Sequence, residues 1–387
     1  MAAKSKISHP AEAAFRWLVN SGIQISHEDR AMDGGVAAWF DLTRQAYPFI
    51  YAEITGYAVC AYLFHHAETG DDRSLRAACR AADWLSHNRY EDNGLVRTRY
   101  NLSSDQKPYF DEWVFTFDQW VMVYGLANLY SVGRSKVYLT QAVDMADFLL
   151  KRTVREDGLF YPLYDVIRKM PHATDDKWSR QSGSFHAKAL MALAKLHELT
   201  GESRYRSAAD RLAQKTLLLQ QADGRFITQS NTGTTHAHPH IYTLEGLLSY
   251  GLSENRKDLV LAAEKGIRWL LKFQKEDGAI PCFYQTDGCQ PYVRADVMAQ
   301  ALRLSALLAA RGYLKEFAEP LKRLRARLLS YQIPDGPQGG GFRYGQEETG
   351  QEHEHVNAWV TMFAGQALWL DDCRVNRSKL PEMSFFA

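Results

Sequence analysis

The sequence predicts an all-α protein, an (α/α)6 toroid in which six helical hairpins close into a ring. A motif recurs along the chain, each repeat holds two segments with helical periodicity, and the second segment is the more apolar. The motif is an amphipathic run, then Asp-Gly or a close variant, then an aromatic-rich stretch. Its marker glycines recur about every 60 residues, at Gly34, Gly94, Gly158, Gly224, Gly278 and Gly336.

Each repeat contains an outer helix followed by an inner helix. The first helix carries Lys, Arg and Glu on one face, whereas the second is rich in Ala and is expected to line the ring. Two helices end on Gly201 and Gly312, which favour the left-handed conformation of a C-cap. We expect one domain over residues 1–387, with tails at 1–8 and 372–387. An open solenoid is the alternative, but it should end in polar repeats, and the last repeat is apolar.

Composition excludes several classes of protein. With 46% hydrophobic and 24% charged residues, the chain is an ordinary globular one. Its net charge of +1 provides no general attraction to nucleic acid or anionic lipid. The N-terminal residues lack the apolar core of a signal peptide, and no stretch reaches the roughly 18 apolar residues of a membrane helix. These features predict a cytoplasmic protein with no nucleic-acid partner and no membrane span.

Polar residues cluster where each inner helix is expected to begin. In a toroid these positions line one end of the central cavity, and each mixes aromatic rings with carboxylates, His or Arg. A helix start needs only one capping side chain, so this polarity exceeds what folding requires. Stacking rings beside hydrogen-bonding groups predict a sugar-binding cleft. The six mouth segments are residues 47–59, 109–125, 178–190, 236–248, 282–302 and 351–363.

Candidate catalytic residues lie in four of these segments. His240, Tyr242 and Glu245 follow Pro239, and His355 lies in the last segment beside glutamates. An imidazole beside a carboxylate is held in one tautomer and can act as a base near neutral pH. The alternative is that these groups only cap helices or face solvent. Two further candidates in the first two inner helices, which could instead be caps or arginine partners, are Glu53 and Asp118.

The candidate substrate-binding residues combine stacking rings with hydrogen-bonding groups. Arginines would hold a carboxylate or hydroxyl group, and the aromatic rings would stack on the sugar. Asp296 lies two residues after Arg294, so these two could instead form a local ion pair. The full set is Trp178, Arg180, His186, Tyr284, Arg294, Asp296, Tyr344 and Trp359.

A metal site has one possible set of ligands. Asp287, Cys289 and His355 could form an open zinc site if their loops converge. The chain contains no His-Glu-x-x-His motif and no closely paired cysteines, and it lacks phosphate-binding and dinucleotide-binding glycine motifs. We therefore expect an activity that needs neither metal nor cofactor.

These residues resemble those of six-hairpin carbohydrate-active enzymes. In N-acylglucosamine and cellobiose 2-epimerases, the eighth helix carries Asn-x-His-Met-His-Leu-Leu-Glu-Ala, which is similar to residues 239–246 here, with Tyr242 in place of the second, catalytic His. The resemblance implies a second catalytic His at His355. Residues 294–308 look like a helix of glucuronyl C5-epimerases, and residues 179–201 are similar in place and length to a helix of unsaturated glucuronyl hydrolases, without its Trp.

A second resemblance is to terpene cyclases and protein prenyltransferases. It rests on the Gln-x-x-Asp-Gly repeats at 274–278 and 332–336. In this family the zinc ligands lie in an Asp-Gly-Cys segment and on a later His, which implies Asp287, Cys289 and His355. The Asp-x-Asp-Asp acid of the cyclases is absent from this sequence.

The sequence therefore predicts an enzyme that acts on a sugar or uronic-acid residue, by epimerisation or isomerisation through proton transfer. His240 or Tyr242 and His355 would be the acid and base, oriented by Glu245. A glycoside hydrolase that uses Asp118 and Glu245 as its carboxylate pair would fit the same residues. An isoprenoid enzyme and a glycan-binding toroid without catalysis also remain open at this point.

Overall fold

The computed structural model describes residues 9–102, 112–285, 288–346, 349–381 and 385–386. Within them lie twelve α-helices, which alternate between an outer and an inner layer. The outer helices are α1 (His9–Asn20), α3 (Asp72–His87), α5 (Lys136–Arg152), α7 (Ser203–Leu218), α9 (Lys257–Leu271) and α11 (Ala318–Leu329). The inner helices are α2 (Ala52–Thr69), α4 (Thr116–Gly133), α6 (Ala189–Thr200), α8 (Ala237–Ser253), α10 (Ala295–Ala310) and α12 (Ala358–Val375).

The inner helices form a closed ring. Each packs against the next one along the chain, and α12 packs against α2. The outer helices cover this ring, since α3, α5, α7, α9 and α11 each pack on the preceding inner helix, and α1 packs on α12. The prediction of an (α/α)6 toroid is therefore confirmed. An open solenoid would leave the first and last repeats apart.

The two layers differ because their sequences differ. The inner helix α4 is buried on all sides over its first fourteen residues, Thr116 to Leu129, whereas α3 buries only one face. Small residues allow the inner helices to approach closely. A Cβ at Gly125 would lie 2.9 Å from the carbonyl oxygen of Gly56 on α2, and one at Gly246 would lie 1.9 Å from that of Ala187. Glycine is therefore required at these crossings.

Loops that lead from outer to inner helices carry short antiparallel strands within the described residues. The strands are β1 (Trp39–Asp41), β2 (Phe49–Tyr51), β3 (Arg99–Asn101), β4 (Trp113–Phe115), β5 (Leu163–Asp165), β6 (Met170–His172), β7 (Thr235–His236), β8 (Pro281–Gln285), β9 (Gly288–Val293), β10 (Phe342–Arg343) and β11 (His355–Asn357). They pair as β1-β11-β10, β2-β3, β4-β5-β6 and β7-β8-β9. The sequence did not predict them, because runs this short give no clear alternation.

Strand pairing closes the ring at the mouth of the toroid. In the first and last repeats, Trp39 on β1 pairs with Asn357 on β11. Inner helices α2, α4, α8 and α12 each begin at the residue after a strand. The strand ends and first helical turns therefore carry the side chains that meet at this end of the ring.

The C-terminal residues differ from the expected tail. Helix α12 continues to Val375, so residues 372–375 belong to the ring. Phe385 and Phe386 are buried; the Phe386 ring lies 5.8 Å from the ring of Phe64, and Gln366 Nε2 donates to the carbonyl oxygen of Phe385 at 2.9 Å. The expected tail at 1–8 lies outside the described residues. No described helix is long and apolar enough to cross a membrane.

Candidate active site

A cavity of about 380 Å³ opens at the mouth of the ring. Its walls are mostly aromatic, which suits stacking on the apolar faces of a sugar. The aromatic lining residues are Trp39, Phe49, Tyr51, Tyr57, Phe115, Phe117, Trp178, Phe185, Tyr242, Tyr344 and Trp359. The polar lining residues are Glu53, Asp118, Lys177, Ser179, His238 and Arg294.

Two carboxyl groups lie in the first turns of neighbouring inner helices, Glu53 on α2 and Asp118 on α4. Burial raises the pKa of Glu53 to about 7, although the charges of Lys188 and Lys177 lower it. Burial raises the pKa of Asp118 well above its usual range, and the negative charge of Glu53 raises it further. Both pKa values are therefore raised, that of Glu53 to near neutral pH, as in carboxyl pairs that act as acid and base.

His238 is an oriented imidazole in the first turn of α8. Its Nδ1 atom lies 3.2 Å from Asp296 Oδ2 and 2.7 Å from Gln300 Oε1, both on α10. The Asp296 carboxylate can only accept, so Nδ1 carries the proton and Nε2 is free to accept one. Burial lowers the pKa of His238 to about 4, against the raising effect of Asp296. The imidazole is therefore neutral near pH 7, which is the form that a base requires.

A second wall of the cavity joins α10 and α12. Arg294 forms an ion pair with Asp296, with Nε donating to Oδ1 at 3.0 Å, and its Cζ atom lies 4.6 Å from the centre of the Tyr344 ring. Burial alone would raise the pKa of Asp296, but Arg294 and His238 outweigh it and lower that pKa. Arg294 therefore keeps Asp296 ionised and able to orient His238.

Glu53 and His238 come from opposite sides of the ring of inner helices. In the ring order α2, α4, α6, α8, α10, α12, helices α2 and α8 lie three places apart, so Glu53 and His238 belong to opposite helices. Tyr57 on α2 and Tyr242 on α8 meet across the floor, with ring centres 6.3 Å apart. Tyr242 also lies beside His238, with ring centres 4.4 Å apart, so Glu53 and His238 both border this floor.

Seven of the sequence candidates line the cavity. They include both carboxyl groups of the first two inner helices and the aromatic residues proposed for stacking, apart from Tyr284. The seven are Glu53, Asp118, Trp178, Tyr242, Arg294, Tyr344 and Trp359.

Three candidates belong to the core instead. His240 is fully buried, accepts from Phe226 N–H at 3.3 Å and donates from Nε2 to Gly266 O at 3.2 Å. His186 is 1% exposed, and burial lowers its pKa to about 3. Tyr284 is 2% exposed, with its ring centre 4.9 Å from that of Trp269. His186 and His240 face away from the cavity because helical rotation sets which side of a turn reaches the mouth. Tyr284 lies on strand β8 and points to the core beside Trp269 of α9.

The remaining four candidates lie beside or beneath the cavity. Glu245 is buried below the floor in ion pairs, so it does not complete a carboxylate pair with Asp118. His355 is 9% exposed and stacks on Trp39 and Tyr344, with ring centres 4.8 and 5.3 Å away. Asp296 is buried in the local ion pair with Arg294 that its spacing also allowed. The fourth, Arg180, pairs with Asp176 at 2.8 Å.

Twelve lining residues were not among the candidates, and three of them carry groups that matter for the chemistry: His238, Lys177 and Tyr57. For His238 a signal was available, because residues 238 and 242 are four apart and share a helix face, whereas 240 lies on another side. Lys177 lies in the loop before α6. Its side chain is exposed at the mouth, but partial desolvation there lowers its pKa, and the charges of Arg180 and Arg294 lower it further. Tyr57 lies within the first mouth segment, residues 47–59, but was not singled out there, and no sequence pattern marked Lys177.

The possible zinc ligands are only partly described. Asp287 lies outside the described residues, Cys289 is exposed, and His355 is buried. In the part of the chain that the structure describes, no group of three or more His, Cys, Asp or Glu side chains could hold a metal ion.

Solved structures are similar to the protein over nearly its whole length. A sugar epimerase from a ruminal bacterium has a TM-score of 0.77 at 14% identity, covering 96% of this chain and 100% of that one. Cellobiose 2-epimerase from Bacillus thermoamylovorans B4167 has a TM-score of 0.74 at 12% identity, covering 92% and 98%. The unsaturated glucuronyl hydrolase of Bacillus sp. GL1, responsible for the degradation of glycosaminoglycan, has a TM-score of 0.68 at 15% identity, covering 92% and 96%.

No protein-family model matches the chain, and no curated protein is similar to it in sequence. At identities of 12 to 15%, the structural likeness establishes the toroid fold. The reaction has to be argued from the cavity itself.

Proposed function

We propose that the protein is a sugar epimerase or isomerase that transfers protons at the carbon next to a carbonyl or carboxylate. The observation that carries this proposal is the placement of Glu53 and His238 on opposite inner helices around one aromatic cavity. Inversion at carbon needs a base on one face and an acid on the other. The similar epimerase folds support the proposal as an analogy.

His238 is the base in this mechanism. Its neutral Nε2 takes the proton from carbon, and Asp296 stabilises the imidazolium through Nδ1. The electron pair of the broken C–H bond forms a double bond to the neighbouring carbon, and the carbonyl electrons move onto oxygen. Protonated Glu53 then returns a proton to the opposite face, and the carbonyl forms again. The substrate leaves with one carbon inverted, and exchange with solvent then removes the proton from His238 and returns one to Glu53.

The other lining groups bind and orient the sugar. Trp178, Tyr344 and Trp359 stack on the ring or chain of the substrate, and Arg294 and Lys177 hold hydroxyl or carboxylate oxygens. Tyr242, beside His238 at a ring distance of 4.4 Å, limits the space around the base.

Exchange of carbon-bound hydrogen tests the proposal. Aldoses, disaccharides and hexuronates are incubated in deuterated water, and NMR measures deuterium at the carbon next to the carbonyl or carboxylate. We expect exchange together with a new epimer or isomer, and Glu53→Gln should lower the rate roughly 100-fold. The matched control is Glu68→Gln at an exposed position on the same helix, which should leave the rate unchanged. Absence of carbon-bound deuterium with every sugar would contradict the proposal.

A glycoside hydrolase is the second candidate, and the carboxyl pair favours it. Burial raises the pKa of Asp118, and its Oδ2 has no hydrogen-bond partner within the described residues, so it could protonate a leaving oxygen while Glu53 acts as the base. The hydrolase pair is therefore Asp118 with Glu53 rather than with Glu245. Release of reducing ends without carbon-bound deuterium would identify this reaction, and ligand binding with neither outcome would identify a binding protein.

A further inference from the structure

Asp118 differs from the other buried acidic residues of the ring. Within the described residues, five buried acidic side chains form ion pairs with arginines: Asp165 with Arg168, Glu245 with Arg303, Asp296 with Arg294, and Asp371 and Asp372 with Arg325. Asp118 is 4% exposed and forms no ion pair among these residues, and its Oδ2 atom has no hydrogen-bond partner there. A buried carboxyl group without a counter-charge costs stability. Folding alone therefore does not explain Asp118.

Glu53 lines the cavity from the helix next to that of Asp118. The two helices, α2 and α4, cross closely, since a Cβ at Gly56 would lie 3.1 Å from Met122 Cγ. Tyr51, at the end of β2, donates a hydrogen bond to the Asp118 carboxyl group. Burial raises the pKa of Asp118, and the charge of Glu53 raises it further, so the two carboxyl groups interact. When Glu53 is ionised, Asp118 therefore favours its protonated form, and the pair retains one proton.

The opening of a sugar ring needs an acid and a base that lie close together. A reducing sugar in water is almost entirely a cyclic hemiacetal, and its carbonyl group forms only when the ring opens. A base takes the proton of the anomeric hydroxyl, the bond from the anomeric carbon to the ring oxygen breaks, and an acid protonates the ring oxygen. Both of these oxygens are bonded to one carbon. Two neighbouring carboxyl groups suit this reaction, whereas inversion at carbon needs groups on opposite faces.

We propose that Asp118 and Glu53 open and close the ring of a reducing sugar and so interconvert its two anomers, a mutarotase activity in addition to proton transfer at carbon. Ionised Glu53 accepts the proton of the anomeric hydroxyl, and the electrons of the broken O–H bond form the second bond of the carbonyl group. Protonated Asp118 gives its proton to the ring oxygen as the bond to the anomeric carbon breaks. Ring closure on either face of the carbonyl reverses both transfers, so the pair holds one proton before and after the reaction. The inference rests on the proposed function only in that the cavity binds a sugar.

Ring opening also prepares the site for the proposed reaction at carbon. It produces the carbonyl group whose neighbouring carbon loses a proton to His238, and it leaves Glu53 protonated, the form in which Glu53 acts as the acid. Solvent returns a proton to Glu53 after the transfer to carbon, and the ring then closes through the same carboxyl pair. His238 lies on α8, on the opposite side of the ring of inner helices from Glu53, and its role is at carbon.

Polarimetry with freshly dissolved α-glucose, α-galactose and α-lactose tests the proposal. We expect wild type to speed the change in optical rotation above the spontaneous rate for at least one of these sugars. Asp118→Asn keeps the size of the side chain but removes the acid, and it should lower the enzymatic rate roughly 100-fold. Glu53→Gln removes the base and should lower the rate by a similar factor. The matched control is Asp144→Asn at an exposed position of α5, which should behave as wild type.

Two results of this experiment would overturn the proposal. The first is a rate no faster than the spontaneous one with all three sugars. The second is an Asp118→Asn variant that keeps the thermal midpoint of wild type and interconverts the anomers equally fast.

Methyl α-glucoside provides a control substrate. Its anomeric oxygen carries no proton, so its ring cannot open by this route, and its optical rotation should stay constant. If wild type instead releases methanol from methyl α-glucoside, the carboxyl pair protonates the outer oxygen of a glycosidic bond. That result would assign Asp118 and Glu53 to hydrolysis and would overturn the proposal.

The pH profile separates the role of Glu53 as a base from a structural role. Burial raises the pKa of Glu53 to about 7, so its ionised fraction, and with it the enzymatic rate of mutarotation, should increase from pH 6 to pH 7. Glu53→Gln should lack this increase in its residual rate. A wild-type rate that falls over this range would overturn the proposal. The titratable groups that face the carboxyl pair are Tyr51, Tyr57, Lys177, Lys188 and Tyr242.

Comparison with carbon-bound exchange distinguishes this inference from the proposed function. His238→Ala should lower the rate of exchange about 10-fold or more beyond any loss of mutarotation, because His238 takes its proton from carbon. Equal loss of both rates in His238→Ala would overturn the assignment of ring opening to the carboxyl pair. Exchange on a sugar whose anomers wild type interconverts no faster than the spontaneous rate would overturn this inference alone. Mutarotation that Asp118→Asn removes, without exchange on any sugar, would overturn the proposed function alone.

Discussion

His238 and His240 lie two residues apart in the first turn of α8, but their side chains are in different environments. His238 lines the cavity, with Nδ1 beside Asp296 and Nε2 free to accept a proton. His240 faces the core, where backbone groups of Phe226 and Gly266 occupy both of its ring nitrogens. Burial lowers the pKa of both residues to about 4. The shifted pKa alone therefore does not identify the functional histidine, and the partner of each ring nitrogen does.

The largest expected effect is on catalysis, and it comes from replacing His238. His238→Ala removes the base and should lower the exchange rate roughly 100-fold or more, while the thermal midpoint stays nearly constant. Carbon-bound deuterium by NMR and thermal unfolding measure the two quantities. The surface substitution His87→Ala on α3 is the control, and it should change neither. A His238→Ala enzyme that exchanges as fast as wild type would exclude His238 as the base.

His240→Ala should lower the stability of the fold and leave catalysis unchanged. It leaves Phe226 N–H and Gly266 C=O without their partner and opens a cavity beside Trp269, at a cost of about 2 to 4 kcal/mol in the free energy of unfolding. Urea unfolding measures this loss. The exchange rate per folded molecule should remain close to that of wild type. A large loss of rate with unchanged stability would reverse the assignment of the two histidines.

A smaller effect is expected from Asp296→Asn. The neutral amide still accepts from His238 Nδ1 but no longer stabilises the imidazolium, so the exchange rate should fall about 10-fold. Asp296 raises the pKa of His238. Its removal should therefore lower that pKa further and move the acid limb of the rate profile to lower pH. An acid limb that moves to higher pH would contradict the pairing.

The smallest effect concerns the pH dependence of stability. The folded-state pKa of His240 is about 4, below the unfolded value of about 6.5. As the pH falls from 6.5 towards 4, the His240 imidazole therefore becomes protonated in the unfolded chain but not in the folded one. The neutral, buried imidazole stabilises the fold fully above pH 6.5. Lowering the pH to 5.5 should reduce the free energy of unfolding by about 1 kcal/mol for each such histidine. Urea unfolding of wild type and His240→Ala at both pH values measures the difference. Equal pH slopes would show that His240 titrates normally in the folded protein.

Local patterns in the sequence were sufficient to predict the fold. The marker glycines, the helical periodicity and the apolar inner segments are properties of neighbouring residues, so they can be read without knowing which segments meet. The short strands at the mouth were missed because runs such as Thr235–His236 have no measurable alternation. Gly34 and Gly336, used as repeat markers, do lie at positive φ, 91° and 82°.

The candidate site was only partly predictable, because proximity along a helix does not reveal proximity across the ring. Glu53 and Asp118 were found from their places in first turns, and Tyr242 from its place shortly after Pro239; all three line the cavity. His240 was chosen over His238 because it follows Pro239, where the helix was expected to begin, although four-residue spacing groups His238 with Tyr242.

The sequence by itself determined the six repeats, the inner and outer layers, and the end of the ring where polar and aromatic residues gather. Only the tertiary structure decided which of those residues face one another. His238 meets Asp296 from another helix, and Glu245 meets Lys188, 57 residues away, beneath the floor. The physical reason is that helical periodicity depends on adjacent residues, whereas the contents of a cavity depend on how each helix rotates as its neighbours pack against it.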